Sequence, residues 1–220
     1  MNRFVYGISK SAVRGFLCLY NRLRAEGLES VPAEGPVLLV ANHASHLDPP
    51  IVGVKIARPV HFLARATLGK LPPLHWYLSA LGVIFVDRGG SARSGIAGTI
   101  DALQAGRIVC MFPEGTRTHS GRVGAFERGA LLVLRRAPVP VVPVGIEGSY
   151  GALRRGRLLP RPSRITVRYG APMAADDVLG QGGVDELRRR ICLLAGENPP
   201  VDAGDELAGG DRVRGTAAAG

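Results

Sequence analysis

Hydrophobic residues cluster along the chain in six short runs that alternate with longer, amphipathic stretches. The runs are rich in Val, Ile and Leu and read as continuous apolar segments, which is typical of strands covered on both faces. We predict strands at residues 37–41, 61–64, 83–87, 107–112, 139–146 and 164–169. We predict helices at residues 49–57, 71–80, 91–105, 124–136 and 184–195. Strands that alternate with helices indicate a single layered α/β domain, with a mostly parallel mixed sheet flanked by helices.

Two prolines interrupt the fifth of these apolar runs. Pro140 and Pro143 lack the backbone N–H group that a central strand donates to its neighbour. We therefore expect an edge strand or a bulge at this point of the sheet.

The first residues predict a helix with an apolar stripe and an otherwise basic surface. Apolar side chains recur at three- and four-residue steps at Val5, Ile8, Ala12, Phe16, Leu19, Tyr20 and Leu23. Every charged residue before Glu26 is Lys or Arg. Such a helix can lie in the surface of an anionic membrane, or it can pack on the domain. We divide the chain into an amphipathic membrane-surface helix at 1–24, the α/β domain at 25–195 and a disordered tail at 196–220.

Charge and composition narrow the choice of partners. The chain has 220 residues and a formal net charge of +10, which suits nucleic acid, an acidic lipid surface or a phosphorylated substrate. The basic residues are dispersed and only 5% of residues are aromatic, which argues against nucleic-acid binding. Three scattered cysteines fit a reducing, cytoplasmic environment.

The first candidate for chemistry follows directly after the first predicted strand. The segment ANHASHLDPP contains His43, His46 and Asp48, at the carboxyl end of a strand where ligands bind in α/β sheets. Residues five apart on a regular helix point away from each other, so His43 and Asp48 meet only if a turn precedes the helix. Asp48 followed by Pro49 favours that turn, with Asp48 as the N-cap. Alternatively, Asp48 only caps the helix, or the three side chains bind a metal ion.

Two further strand ends carry positive charge. The segment Phe112-Pro113-Glu114-Gly115-Thr116-Arg117 combines a stiff turn, a carboxylate, a glycine, a hydroxyl group and a guanidinium group. Glycine permits close backbone approach, while the hydroxyl and guanidinium groups donate hydrogen bonds to phosphate. Arg88 ends the strand VIFVD. Together these residues place a base beside an anion site, which is the minimum needed to activate a hydroxyl group on a phosphorylated substrate.

Four segments in this order resemble the glycerolipid acyltransferase family, in its 1-acylglycerol-3-phosphate acyltransferase branch. NHASHLD matches the family's NHx4D block, GVIFVDR the second block, FPEGTR the third and VVPVGIEG the fourth. The resemblance covers roughly residues 25 to 170. It implies that His43 takes a proton from the acceptor hydroxyl and that Asp48 orients the imidazole ring and stabilises its charged form.

The resemblance also implies a phosphate pocket. Arg88 and Arg117 would hold the acceptor phosphate, and Glu114, Gly115 and Thr116 would shape the pocket around it. Arg65 is a further substrate-binding candidate, at a position where many relatives have lysine. Glu127 departs from the usual pattern, because it brings a carboxylate near the expected anion site.

The expected activity is acyl transfer to the sn-2 hydroxyl of 1-acylglycerol-3-phosphate (lysophosphatidic acid), giving phosphatidic acid in phospholipid biosynthesis. Acyl-CoA or acyl carrier protein would be the co-substrate, with no bound cofactor and no metal. Alternative interpretations are another lysolipid acceptor, such as a lyso-ornithine lipid, and, more remotely, a metal-dependent hydrolase or a basic binding protein. The expected location is the cytoplasmic face of the cell membrane, as a peripheral or monotopic protein that binds an anionic membrane surface.

Overall fold

A computed structural model describes residues 2–65, 72–86, 92–127 and 129–198 of the chain. The helices are α1 (Arg3–Tyr20), α2 (Asp48–Gly53), α3 (Pro72–Ala80), α4 (Ala92–Gln104), α5 (Gly129–Arg136), α6 (Ser149–Leu153), α7 (Ala175–Leu179) and α8 (Gly183–Leu194). The strands are β1 (Arg24–Glu26), β2 (Val37–Ala41), β3 (Val60–Arg65), β4 (Ile84–Val86), β5 (Ile108–Met111), β6 (Val141–Glu147) and β7 (Thr166–Tyr169). The predicted α/β class and mostly parallel mixed sheet are confirmed.

The seven described strands form one sheet in the order β1-β7-β6-β2-β5-β3-β4. All neighbours run parallel except β6 and β7. The central strand β2 is buried along its whole length. In the paired register, Val40 of β2 lies beside Met111 of β5 and Pro143 of β6. The segments that follow β2 and β5 therefore leave the sheet next to each other at its carboxyl edge.

Two hydrophobic cores lie on opposite faces of this sheet. One core packs α1, α2 and α6 against the sheet through Leu17, Ile51, Val52 and Ala152. The other core packs α4, α5, α7 and α8 through Leu103, Val133, Val178 and Ile191. Burial on both faces explains why the strand sequences are apolar throughout rather than alternating.

The first helix differs from its predicted bounds. It ends at Tyr20, and β1 follows where the sequence predicts continued helix. Arg22 adopts a positive φ of 48° and reverses the chain, so that Leu23 is buried beside Leu17 instead of continuing the stripe. The helix predicted at 124–136 also begins later, at Gly129 within the described part of the chain.

Of the edge strand or bulge predicted for the fifth apolar run, the edge position is wrong and the bulge is present. That run is β6, which lies inside the sheet between β2 and β7. Val144 pairs with Tyr169 but Val141 pairs with Met173, so the segment opposite β6 carries one extra residue.

Pro143 is tolerated because its backbone faces the place where the β6–β7 pairing stops: its carbonyl accepts from Gly170 N–H, directly after β7 ends. Pairing resumes only at Met173. The missing N–H group therefore faces a gap in the ladder.

Helix α1 has a buried face and an exposed apolar face. Leu17 is fully buried, whereas Phe4, Ile8 and Leu19 are 76%, 55% and 86% exposed. At about 100° per residue, these three exposed side chains fall within an arc of about 60°. The described helices include none with the length and hydrophobicity required to span a bilayer.

Candidate active site

The turn between β2 and α2 brings His43 and Asp48 into contact. Asp48 Oδ2 accepts a hydrogen bond from His43 Nδ1 at 2.9 Å, and from the backbone N–H groups of Ala44 and Ser45, each at 2.7 Å. The two side chains meet at a turn ahead of the helix, as the sequence predicts. The predicted N-cap role is wrong, because Leu47 is the N-cap residue and Asp48 the first helical residue. The carboxylate is engaged by the preceding turn instead of the first turn of α2.

The His43 ring is held on one side by an aromatic neighbour. It stacks on Phe112, with ring centroids 4.2 Å apart and an interplanar angle of 22°, and its side chain is 18% exposed. Because the Asp48 carboxylate accepts from Nδ1, the proton of the neutral ring lies there and Nε2 keeps a lone pair. Nε2 has no hydrogen-bond partner within the described residues. The arrangement therefore presents an oriented, partly accessible base.

Glu114 supports the candidate site from inside the protein, because its side chain does not face solvent. Its side chain is buried; Oε1 accepts from the backbone N–H of His43 at 2.8 Å, and Oε2 accepts from that of Gly124 at 3.1 Å. Burial raises the pKa of Glu114, although both N–H bonds oppose the shift. This carboxylate ties the segment after β5 to the histidine turn after β2. Its two hydrogen bonds, one to His43 and one to Gly124, make it a structural bridge.

The next two residues form the exposed part of the loop. Gly115 has a positive φ of 65°, and both Gly115 and Thr116 are exposed. A Cβ atom at Gly115 would come within 2.7 Å of Glu127 Oε1. Glycine is therefore favoured here by its backbone conformation, since the exposed Glu127 side chain could move away from a Cβ atom. The contact also shows that the Glu127 carboxylate lies directly against the expected anion pocket.

Arg117 lies close to the histidine turn. Desolvation lowers the pKa of His46, and the positive charge of Arg117 lowers it further. Arg117 is half-buried, while His46 stays exposed. The loop is fixed to the turn by a hydrogen bond from Thr118 N–H to the His43 carbonyl at 2.8 Å. The structure thus brings Arg117 into the electrostatic neighbourhood of the His43–Asp48 pair.

The other two predicted cations are less completely described. Arg65 is the last residue of β3, which places its backbone at the carboxyl edge of the sheet. Arg88 lies outside the described residues, two positions beyond the end of β4.

Asn42 is a site residue that sequence reasoning did not single out. Its buried side chain accepts from Ile146 N–H at 2.8 Å and donates to the Ile146 carbonyl at 3.0 Å. This two-way contact joins the end of β2 to the end of β6. A polar residue directly before His43, at the end of a buried strand, was the available signal, because a buried amide needs partners.

The structure also bears on the Cys110 thiol and on metal binding. Burial raises the pKa of the Cys110 thiol, and its side chain is 1% exposed in the core, so it is poorly placed to act as a nucleophile. Across the described ranges, no group of three or more His, Cys, Asp or Glu side chains is arranged to hold a metal ion.

Comparison with known proteins agrees with this geometry. A sequence model of the family described as Acyltransferase matches residues 22–147. The chain belongs to the acyltransferase family. The matched region contains the His43–Asp48 turn, the Phe112–Arg117 loop and all of β6.

Individual relatives carry a more specific description. The chain is 30% identical over 209 residues to the 1-acyl-sn-glycerol-3-phosphate acyltransferase alpha of Mus musculus, covering 88% of this chain and 69% of that protein. A chloroplastic 1-acyl-sn-glycerol-3-phosphate acyltransferase of Arabidopsis thaliana is 29% identical over 154 residues, 69% of this chain and 41% of that protein. The enzyme of Borreliella burgdorferi is 33% identical over 121 residues, 54% of this chain and 48% of that protein. The chain thus spans about half the length of several curated relatives that it matches.

A solved structure shares the fold. The crystal structure of the 1-acyl-sn-glycerophosphate acyltransferase PlsC from Thermotoga maritima superposes with a TM-score of 0.74 at 25% sequence identity. The match covers 93% of this chain and 80% of that one. The similarity therefore extends well beyond the short motifs.

Proposed function

We propose that this chain transfers a fatty acyl group from acyl-CoA or acyl carrier protein to the sn-2 hydroxyl of 1-acylglycerol-3-phosphate, which yields phosphatidic acid. The observation that carries the proposal is the His43–Asp48 contact at 2.9 Å, with the charge of Arg117 acting on the same turn. A base next to an anion-binding group suits a hydroxyl acceptor that carries a phosphate. The relatives described as 1-acyl-sn-glycerol-3-phosphate acyltransferases support this choice of acceptor.

In this mechanism His43 Nε2 takes the proton of the acceptor hydroxyl while the oxygen attacks the thioester carbonyl carbon. Asp48 keeps the proton of the neutral ring on Nδ1 and stabilises the imidazolium that forms. Collapse of the tetrahedral intermediate breaks the C–S bond, and the thiolate leaves and takes up the proton from His43. Transfer is direct, so no acyl-enzyme forms and no cofactor takes part.

The acceptor phosphate would be held by Arg117 and Arg88, with Gly115 and Thr116 at the mouth of the pocket. Gly115 and Thr116 are exposed on the same loop as Arg117, which supports this assignment. Arg65 is a further substrate-binding candidate at the carboxyl edge of the sheet. Glu114 would act on the pocket through the loop that it holds.

One observation favours a second acceptor class. The Glu127 carboxylate lies against Gly115, where it would repel a phosphate and attract a cationic head group. A lysolipid that carries an amine, such as a lyso-ornithine lipid, is therefore the alternative acceptor.

Helix α1 supports a location on the membrane surface. Its exposed face carries Phe4, Ile8 and Leu19, and the helix contains no acidic residue. The proposed membrane-surface segment ends at residue 20 rather than 24, because β1 belongs to the sheet of the α/β domain. With its described cysteines unpaired, we place the protein on the cytoplasmic face of the cell membrane, as a peripheral or monotopic enzyme.

An acceptor panel tests the proposal. Radiolabelled acyl-CoA and acyl carrier protein donors are each incubated with lysophosphatidic acid, lyso-ornithine lipid, lysophosphatidylcholine and monoacylglycerol, and labelled products are separated. The proposal expects the highest kcat/KM with lysophosphatidic acid. A preference for the lyso-ornithine lipid that disappears in Glu127→Gln would replace it by the second candidate. No acyl transfer to any lysolipid with either donor would exclude both.

A further inference from the structure

The segment between α6 and β7 is an anchored loop with an exposed apolar tip. Leu158 and Leu159 are 95% and 78% exposed. The loop is fixed near both ends, because Arg161 N–H donates to the Ala152 carbonyl at 2.8 Å and Ser163 Oγ donates to the Gly148 carbonyl at 3.0 Å. Neighbouring leucines left in solvent on an anchored loop indicate a surface that is covered in use.

The same loop is strongly basic. Arg154, Arg155, Arg161 and Arg164 are exposed around the two leucines. Desolvation lowers the pKa of Arg157, and the charges of Arg161 and Arg154 lower it further. The sequence contains no acidic residue between Glu147 and Asp176. A partner of this loop must therefore combine negative charge with an apolar interior.

The loop adjoins the exposed face of α1. Tyr20 Oη donates to the Pro160 carbonyl at 3.2 Å, and Asn21 Nδ2 donates to the Arg161 carbonyl at 3.0 Å. Leu19, which is 86% exposed, precedes Tyr20 on the helix. The two apolar surfaces are thus neighbours, and neither α1 nor the loop contains an acidic residue.

The loop also touches the segment that carries Arg117. Arg155 Nη1 lies 3.0 Å from His119 Nε2, and Tyr150 Oη, just before the loop, donates to the His119 carbonyl at 2.7 Å. His119 is two residues beyond Arg117. Whatever binds the loop is therefore held beside the candidate active site.

We propose that the loop at residues 154–164 is a second membrane-contact element, which inserts Leu158 and Leu159 into an anionic bilayer while its arginines bind lipid head groups. An acidic protein surface would satisfy the charge but not the two exposed leucines, so the bilayer is the better fit. The loop and α1 would then contact the bilayer at two separate places. Two contacts fix the orientation of the active site relative to the lipid. The inference deepens the proposed membrane association of this acyltransferase.

Vesicle co-sedimentation tests the loop without donor or acceptor, so its result is independent of the proposed reaction. The variant is Leu158→Ser with Leu159→Ser, and the matched control is Leu132→Ser with Leu193→Ser, two exposed leucines of α5 and α8 on the opposite face of the sheet. We expect the loop variant to bind phosphatidylglycerol-containing vesicles about tenfold more weakly or worse, and the control to bind like the wild type. Equal binding by the loop variant and the wild type would overturn the inference.

A second measurement uses the unaltered protein. Trypsin cleaves after exposed arginines, and the loop offers several. We expect anionic vesicles to protect the loop from trypsin, and acyl carrier protein not to protect it. Protection by acyl carrier protein alone would assign the loop to a protein partner and overturn the bilayer as its occupant.

Discussion

At the scale of single residues, Asp48 holds both the histidine ring and the turn that carries it. The same oxygen accepts from the His43 ring and from two backbone N–H groups. Its role in orientation therefore cannot be separated from its role in shaping the turn unless one change preserves the size of the side chain. Asparagine meets that condition.

We predict that Asp48→Asn lowers kcat by about 10³-fold or more, because the amide neither fixes the Nδ1 proton nor stabilises the imidazolium. The measurement is the initial rate of phosphatidic acid formation at saturating acceptor, together with a thermal unfolding curve. Ser45→Ala is the control, because Ser45 Oγ donates to the Leu153 carbonyl from the same turn without touching the His43 ring. A loss of activity in Ser45→Ala as large as in Asp48→Asn would mean that turn geometry alone explains the effect.

Glu114 makes a prediction about pH. Burial raises the pKa of its carboxyl group in the folded protein above the unfolded value of about 4.3. The folded state therefore binds more protons between the two values, and the free energy of unfolding falls as pH rises through that window. In Glu114→Gln this part of the pH dependence should be absent.

This pH dependence of the free energy of unfolding is measured by urea unfolding of the wild type and of Glu114→Gln, from about pH 4 to neutrality. At neutral pH the variant should also lose about 1–3 kcal/mol, because one of the two N–H donors faces an amide NH2 group. Glu127→Gln serves as the control, since that carboxylate is exposed. Parallel pH profiles for the wild type and Glu114→Gln would contradict the buried-carboxylate explanation.

The sequence predicted part of the site at this scale. The Asp-Pro pair after a strand favoured a turn in which His43 and Asp48 could meet, but the N-cap position expected for Asp48 is taken by Leu47. The bridging of Glu114 could not be predicted, because its partner His43 lies 71 residues away in sequence and is brought near by the packing of β2 beside β5. The same holds for Asn42 and Ile146, which only strand order brings together.

At the scale of elements, α1 combines a buried face and an exposed apolar face on one helix. Leu17 is part of the core, while Phe4, Ile8 and Leu19 are exposed. Deletion of residues 1–24 would remove Leu17, Leu23 and the start of β1, so it would damage the fold as well as any membrane contact. Substitution on the exposed face separates the two effects.

We predict that Phe4→Ser combined with Ile8→Ser and Leu19→Ser releases the protein from anionic vesicles while the domain stays folded. Exposed substitutions change folding stability by about 0.5 kcal/mol or less each, whereas the loss of three large apolar side chains should weaken vesicle binding by about tenfold or more. Co-sedimentation and circular dichroism measure the two quantities. A folded triple variant that still binds like the wild type would rule out α1 as a membrane-surface helix.

The element pattern was predictable where burial dominates. The six predicted strands are all present in the sheet, because their apolar runs fill its two cores. Strand β1 was missed, since three residues without an apolar run give no signal and its formation depends on pairing with β7. The interior position of β6 was missed because the sequence does not show where β7 ends. Strand β7 ends beside Pro143, so the neighbouring strand does not require the N–H group that proline lacks.

At the scale of the whole molecule, α1 contacts two other segments that carry exposed apolar side chains. At one end, Asn2 N–H donates to the Ala80 carbonyl at 2.8 Å, next to α3 with its 62% exposed Trp76. At the other end, Tyr20 contacts Pro160 in the loop after α6. Helix α1 is about 27 Å long, so these two contacts lie far apart on the molecule.

The central claim is that His43 is the base in acyl transfer to lysophosphatidic acid. The most direct test is the rate of phosphatidic acid formation from radiolabelled acyl-CoA or acyl carrier protein donor, compared between the wild type and His43→Ala on the same vesicles. The claim predicts rapid transfer by the wild type and a rate in His43→Ala reduced by about 10³-fold or more, with unchanged vesicle binding and an intact circular dichroism spectrum. A folded His43→Ala protein that forms phosphatidic acid at the wild-type rate would contradict it.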